Sequence, residues 1–214
     1  MSTPNEDPPA TQVTAHIDPV CPYAWITSQW LRTVAGTRPI QLAFRTMSLG
    51  VLNQDPVDPR EAARGYESAW RPVRVAEAIA ATRGPGHLDR YLHEFGYRYH
   101  DLRHRHPDRP QDRDTVLRDT LAALDDTTLY GAADDPIWDE AVIASHTAAL
   151  AGVSDPGGGG VGTPIVRING AGIFGPILTE VPDPGRGAAI FDAVAVLAAQ
   201  PEFTELKRTR ERSA

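Results

Sequence analysis

The sequence contains a single cysteine, Cys21, among its 214 residues. One thiol excludes a disulfide within the chain and a zinc site built from several cysteines. No apolar run approaches the ~20 residues that a membrane-spanning helix needs. The first eleven residues are polar and proline-rich, unlike an export signal. We therefore expect a reducing cytoplasm as the location, because a lone thiol stays reduced there.

Positive charge is also in short supply. Lysine and arginine together number 21 against 28 acidic residues, which gives a net charge of −7. Such a balance argues against nucleic-acid and anionic-membrane partners, so we expect a small-molecule substrate. The oligomeric state leaves no signature in the sequence. A hydrophobic content of 41% over this length suits one large domain or a domain with a sizeable insertion.

Cys21 lies where a predicted strand, residues 12–18, meets a predicted helix. Pro22 follows at the position where a first helical residue needs no N–H, so Cys21 would cap the helix. Cysteines at helix starts have pKa values of roughly 3.5–7.5, against about 8.5 for a free cysteine. The helix dipole alone supplies only about 0.3–1 kcal/mol, so a larger shift needs direct N–H contacts to sulfur. The alternative is a buried, inert cysteine.

The hydrophobic pattern predicts a thioredoxin-like α/β fold interrupted by an all-α insertion. Residues 40–47 alternate as a second strand, parallel to the first, and Asn169-Gly170 is a hairpin signal between two later strands. The pattern between them is helical, including stretches over 88–99, 116–124 and 136–150. We predict a disordered tail at 1–11, a thioredoxin-like domain at 12–57 and 153–214, and a helical insertion domain at 58–152.

Five histidines between positions 87 and 106 invite a metal-site interpretation. They stand in an arginine-rich segment without a cysteine, and such surroundings make a poor second shell for zinc. We predict a solvated polar segment instead and no metal site. The other interpretation is that this arginine-rich segment borders a site for an acidic ligand. The five are His87, His93, His100, His104 and His106.

Several motifs together resemble the DsbA-like branch of the thioredoxin superfamily, and most closely the actinobacterial mycothiol-dependent nitroreductase family. The likeness runs from about Ala15 to Arg210. Its motifs are Asp18-Pro19-Val20-Cys21-Pro22, Met47-Ser48-Leu49, Ala69-Trp70-Arg71-Pro72, Val161-Gly162-Thr163-Pro164, Phe174-Gly175-Pro176 and Glu205-Leu206-Lys207-Arg208.

The resemblance implies a role for each of these regions. Cys21 would be the reactive thiol and Pro164 a cis-proline facing it. Backbone at Thr163, with Pro22, Tyr23 and Pro164, would hold a thiol cofactor, either mycothiol or, in another host, glutathione. We also predict an apolar substrate pocket, walled by Tyr66 and Trp70 of the insertion together with Ala24 and Trp25 of the first helix.

Ala24 stands where dithiol members carry a second cysteine. A disulfide formed at Cys21 would therefore need an outside thiol to resolve it. This favours a small-thiol-dependent oxidoreductase acting on an electrophilic organic substrate. Tyr23-Ala24 is also similar to the start of 2-hydroxychromene-2-carboxylate isomerases and kappa-class glutathione transferases, so an isomerase or transferase without net redox change is the alternative. A third hypothesis for the function is a non-catalytic thioredoxin-like binding module.

His16 and Asp18 point to the same side of the predicted strand and are candidate catalytic groups beside the thiol. His16 replaces the large aromatic residue that we expect in the family. Its imidazole would deprotonate Cys21 or protonate a substrate carbanion. A hydrogen-bonded strand histidine without a chemical task is an equal alternative.

Overall fold

The computed structural model describes residues 10–53, 67–102, 112–153 and 160–209. Within these ranges one sheet has the order β2-β1-β3-β4. The first two strands run parallel, and β3 runs antiparallel to both β1 and β4. This confirms the predicted parallel pair and the later hairpin. The strands are β1 (Thr11–Ile17), β2 (Ile40–Thr46), β3 (Ile165–Ile168) and β4 (Ala171–Phe174).

The hairpin turn follows its sequence signal directly. Asn169 and Gly170 both adopt positive φ, at 49° and 88°. A two-residue turn needs that backbone conformation to match the twist of its strands. The start of β1 differs slightly from the prediction, because Thr11 is already in the strand rather than in a tail. Residues 1–9 of the predicted tail lie outside the described residues.

Helix α1, Pro22–Ala35, crosses from β1 to β2. It begins as the sequence predicts, with Cys21 as the extended N-cap residue and Pro22 in the first turn. Its apolar stripe packs into the main core, where Trp30, Leu31 and Val34 have no solvent exposure. The crossover therefore fixes Cys21 at the carboxyl end of β1, at one end of the sheet.

The described elements between β2 and β3 are all helical. The predicted helix over 88–99 in fact begins at Pro85 and changes to a π-helix after Gly96. The elements are α2 (Leu49–Leu52), α3 (Glu67–Arg83), α4 (Pro85–Gly96), the π-helix (Tyr97–Leu102), α5 (Arg113–Ala123), two 3₁₀ helices (Thr127–Asp134 and Pro136–Trp138) and α6 (Asp139–Leu150). After the sheet, α7 spans Pro184–Ala198.

The two faces of the sheet carry cores of different size. The main core joins Ile17 and Val166 to residues of α1, α4 and α5. The smaller cluster contains Ile165, which neighbours Val166 in the strand and so points to the opposite face. Met47 and Ala149 of α6 complete that cluster. None of the helices in the described ranges is both long and apolar enough to pass through a membrane.

Candidate active site around Cys21

Cys21 is held by backbone contacts at the junction of β1 and α1. Its N–H donates to the Asp18 carbonyl over 3.1 Å, and its own carbonyl accepts from Trp25 N at 3.0 Å. The Sγ atom lies 3.5 Å from the Thr163 carbonyl oxygen, to which the thiol donates. Within the described part of the chain, the side chain makes no capping hydrogen bond to α1. The helix start thus favours thiolate through its dipole, whereas the Thr163 carbonyl favours the protonated thiol.

The loop opposite the thiol is the one that the resemblance predicts. The Thr163–Pro164 peptide bond is cis. The Thr163 hydroxyl accepts from Asp18 N at 3.2 Å and donates to the His16 carbonyl at 3.3 Å. Pro164 accepts from Gly175 N at 2.9 Å, which ties the loop to the end of β4. The structure therefore confirms that Thr163-Pro164 faces Cys21.

Asp18 is almost completely buried, with 1% of its surface exposed. One carboxylate oxygen accepts from Leu49 N at 2.6 Å and the other from Val20 N at 2.9 Å. Burial raises the pKa of Asp18 from 3.8 to about 6, although both N–H contacts and the Arg113 guanidinium act in the opposite direction. Through its contacts with Val20 N and Leu49 N, the carboxyl group connects the Cys21 loop to the start of α2.

His16 lies on the sheet face opposite to Ile17 and the main core, since adjacent strand residues alternate. Burial is the largest cause that lowers its pKa from 6.5 to about 4, and Arg167 and Arg45 lower it further while a Thr46 backbone contact raises it. The imidazole is consequently neutral near pH 7 and a weak base. This favours the interpretation of His16 as a strand histidine without a chemical task.

The predicted substrate-pocket residues lie in different surroundings. Ala24 is fully buried within the main core, so it packs inside the protein instead of lining an open pocket. Trp70 is partly exposed, and the Arg74 guanidinium lies 5.3 Å from its ring centroid. Tyr66 lies outside the described residues. Of the predicted cofactor contacts in α1, Pro22 is exposed and Tyr23 packs partly against the main core.

His100 belongs to the site, although the sequence pattern places it in a solvated segment. That prediction is wrong for His100, which is only 7% exposed. Its Nε2 lies 3.0 Å from the Pro19 carbonyl oxygen, two residues before Cys21. Its ring also stacks on Trp25 at a centroid distance of 6.0 Å. The run of aromatic residues Tyr91, Phe95 and Tyr99 at four-residue spacing is the signal that a buried stripe extends this far.

Trp25 is seated against the end of α4 and the π-helix. Its Nε1 donates to Asp101 Oδ1 at 2.7 Å. A Cβ atom at Gly96 would overlap Cε3 of the Trp25 ring, so only glycine leaves room for the ring. The helical region is thereby packed onto α1 one turn beyond Cys21.

Two known proteins resemble this chain over most of its length. An uncharacterized protein, Rv2286c, of Mycobacterium tuberculosis (strain ATCC 25618 / H37Rv) is 28% identical over 200 residues, which are 94% of this chain and 83% of that protein. The crystal structure of a putative protein-disulfide isomerase from Pseudomonas syringae superposes with a TM-score of 0.51 at 13% identity. The superposition covers 84% of this chain and 92% of the Pseudomonas syringae chain. At that identity the likeness shows the fold, a DsbA-like thioredoxin fold.

A family description gives the more specific result. Residues 20–208 match the family described as Rv2466c-like, mycothiol-dependent nitroreductase Rv2466c. The matched range begins just before Cys21, includes Thr163-Pro164 and covers most of the chain. The description is that of a thiol-dependent oxidoreductase. This chain therefore belongs to the Rv2466c-like mycothiol-dependent nitroreductase family.

Proposed function

We propose that this protein is a monothiol reductase that uses Cys21 and a small thiol to reduce an electrophilic organic substrate, such as a nitroaromatic or a quinone. The observation that carries the proposal is the Cys21 thiol facing the Thr163 carbonyl beside Pro164, with Ala24 in the place of a second thiol. The family is mycothiol-dependent, so mycothiol or a related low-molecular-weight thiol is the cofactor. A reducing cytoplasm is the proposed location, because it keeps such a thiol reduced.

The residues around Cys21 fit a small thiol. The site offers one sulfur for a mixed disulfide, and Cys21 is the only cysteine of the chain. Ala24 has only a methyl group as its side chain and so cannot attack that disulfide. Backbone of Thr163 and the faces of Pro164 and Tyr23 would hold the bound group. A small thiol supplies the reducing equivalents and the second sulfur.

The electron count sets the stoichiometry. A two-electron reduction of a nitro group to a nitroso group takes two electrons and two protons and releases one oxygen atom as water. Two thiols supply these electrons and protons and leave as one disulfide. The substrate would be the oxidant when Cys21 and the first small thiol form a mixed disulfide, because it takes up their two electrons and two protons. Cys21 would return to the thiol when the second small thiol attacks that bond and releases the thiol disulfide.

Mass-balanced turnover tests this proposal. The protein is incubated with a nitroaromatic, a quinone or a conjugated alkene, each with mycothiol and with glutathione. We expect one molecule of thiol disulfide for each two-electron reduction, and no turnover by Cys21→Ser. A product of unchanged mass with no disulfide would refute the reductase and favour an isomerase, and a thiol–substrate conjugate would favour a transferase.

Ala24→Cys is the matched control for the resolving step. After a challenge with mycothiol disulfide, the wild type should retain a mixed disulfide at Cys21 in its intact mass. The variant should release that group as its new thiol attacks, and should end as an internal disulfide. Equal retention by both proteins would mean that residues 21 and 24 do not face each other.

A further inference from the structure

We infer that Asp18 is a positioning residue whose ionised carboxylate holds the Cys21 loop in its reactive geometry, so that proton binding to Asp18 changes the reactivity of Cys21. This rests on the proposed function only in taking Cys21 as the reacting group.

Asp18 connects the three segments that form the site. Its side chain accepts from Val20 N within the Cys21 loop and from Leu49 N at the start of α2. Its own N–H donates to Thr163 Oγ1 in the opposite loop. Its carbonyl accepts from Cys21 N. Four hydrogen bonds of one residue thus fix the thiol relative to both neighbouring segments.

Protonation alters this arrangement because only the ionised carboxylate has two oxygens that act purely as acceptors. In the carboxylic acid one oxygen carries a proton, which opposes the N–H of Val20 or Leu49. Val20 immediately precedes Cys21, so weakening its contact loosens the loop at the residue next to the thiol. Asp18 is also shielded from water, with 1% exposure, so water cannot replace the lost acceptor.

The charged and titratable groups around Asp18 come from several elements. The Arg113 guanidinium of α5 stabilises its charge, but burial outweighs this and brings the pKa to about 6. Burial raises the pKa of the Tyr91 phenol of α4 well above its usual value, and the charge of Asp18 raises it further. The Cys21 thiol lies on the loop itself, and His100 of the π-helix contacts the Pro19 carbonyl of that loop. Asp18 therefore changes its protonation state around pH 6 and is mostly ionised at neutral pH.

The test is the rate of Cys21 alkylation by iodoacetamide between pH 5 and 9, followed by intact mass without any thiol or substrate. In the wild type we expect a departure from a single-ionisation curve centred near pH 6. The alkylation rate should depart from that curve by about fivefold, as expected for loss of one hydrogen bond. Asp18→Asn should follow a single-ionisation curve, because its amide does not titrate.

Asp126→Asn is the matched control. Asp126 is also a buried aspartate, 4% exposed, but it pairs with Arg83 at 3.0 Å. This variant should lose stability and keep the wild-type inflection. A departure near pH 6 that persists in Asp18→Asn belongs to another group and overturns the inference.

The wild-type profile can overturn the inference even if Asp18→Asn fails to fold. A wild-type profile with one ionisation overturns the role of Asp18 and leaves the proposed reductase standing. A Cys21 that resists alkylation at every pH overturns both. Thiol consumption during turnover is measured separately, so its failure refutes the reductase without affecting this result.

Discussion

Asp18 and His16 should give the free energy of unfolding opposite dependences on pH. Asp18 has its pKa raised from 3.8 to about 6, so its stabilising contribution is present below pH 3.8 and is lost as the pH rises to about 6. At about 1.4 kcal/mol per pKa unit, the loss is about 3 kcal/mol. His16 has its pKa lowered from 6.5 to about 4, so its contribution is present above pH 6.5 and is lost as the pH falls to about 4. This second contribution is at most about 3 kcal/mol.

In the wild type these two slopes largely cancel between pH 4 and 6. Single substitutions separate them. Asp18→Asn removes the falling slope, so its free energy of unfolding should rise with pH relative to the wild type by about 1.4 kcal/mol per pH unit in that window. His16→Phe removes the rising slope and should show the opposite trend. Asp18→Asn should also gain from the removal of a buried charge at neutral pH, which offsets the hydrogen bond that it weakens.

Urea unfolding at half-unit steps from pH 4 to 7.5 measures these slopes. The difference between each variant and the wild type cancels the titrations that the proteins share. Variant and wild-type curves that stay parallel through the whole window would refute the opposed pKa shifts of Asp18 and His16. Slopes of equal sign in both variants would do so as well.

The contacts of α4 and the π-helix yield two further predictions. Gly96→Ala should lower the free energy of unfolding by about 1–3 kcal/mol, because its Cβ meets the Trp25 ring. Gly86→Ala lies in the same helix, and among the described residues its new Cβ would meet nothing within 4 Å beyond its chain neighbours and the helix backbone. This variant should instead be neutral or gain up to about 1 kcal/mol in the same urea titration. His100→Phe should cost about 1–3 kcal/mol, since it keeps an aromatic ring but leaves the buried Pro19 carbonyl without its donor. An unchanged urea midpoint for His100→Phe would place that carbonyl in contact with another donor.

The local features of the fold were predictable because each depends on residues that are neighbours in the sequence. Pro22 marks the first turn of α1, and Asn169-Gly170 marks the hairpin. The pairing of β1 with β2 follows from the order strand, helix, strand. The cis bond before Pro164 came from the resemblance to a family, since most bonds before proline are trans.

The groups that surround Cys21 were harder to predict because they come from distant parts of the chain. Leu49 contributes only its backbone N–H to Asp18, and a backbone donor leaves no mark on residue type. His100 reaches Pro19 from a π-helix. Its prediction as part of a solvated segment relied on the surrounding arginines, which do not show which residues of that segment turn inward. Strand alternation places His16 and Asp18 on one side only while both belong to the strand, and Asp18 lies just beyond its end.

The close approach of Trp25 to Gly96 has a consequence for how this family changes during evolution. The indole occupies the space that any side chain at position 96 would need. A substitution at either position alone is disfavoured, because it creates a clash or a cavity. Relatives that lack the tryptophan can accept a larger residue at position 96, and relatives that keep it should keep the glycine. The two positions should therefore covary, although 71 residues separate them in the sequence.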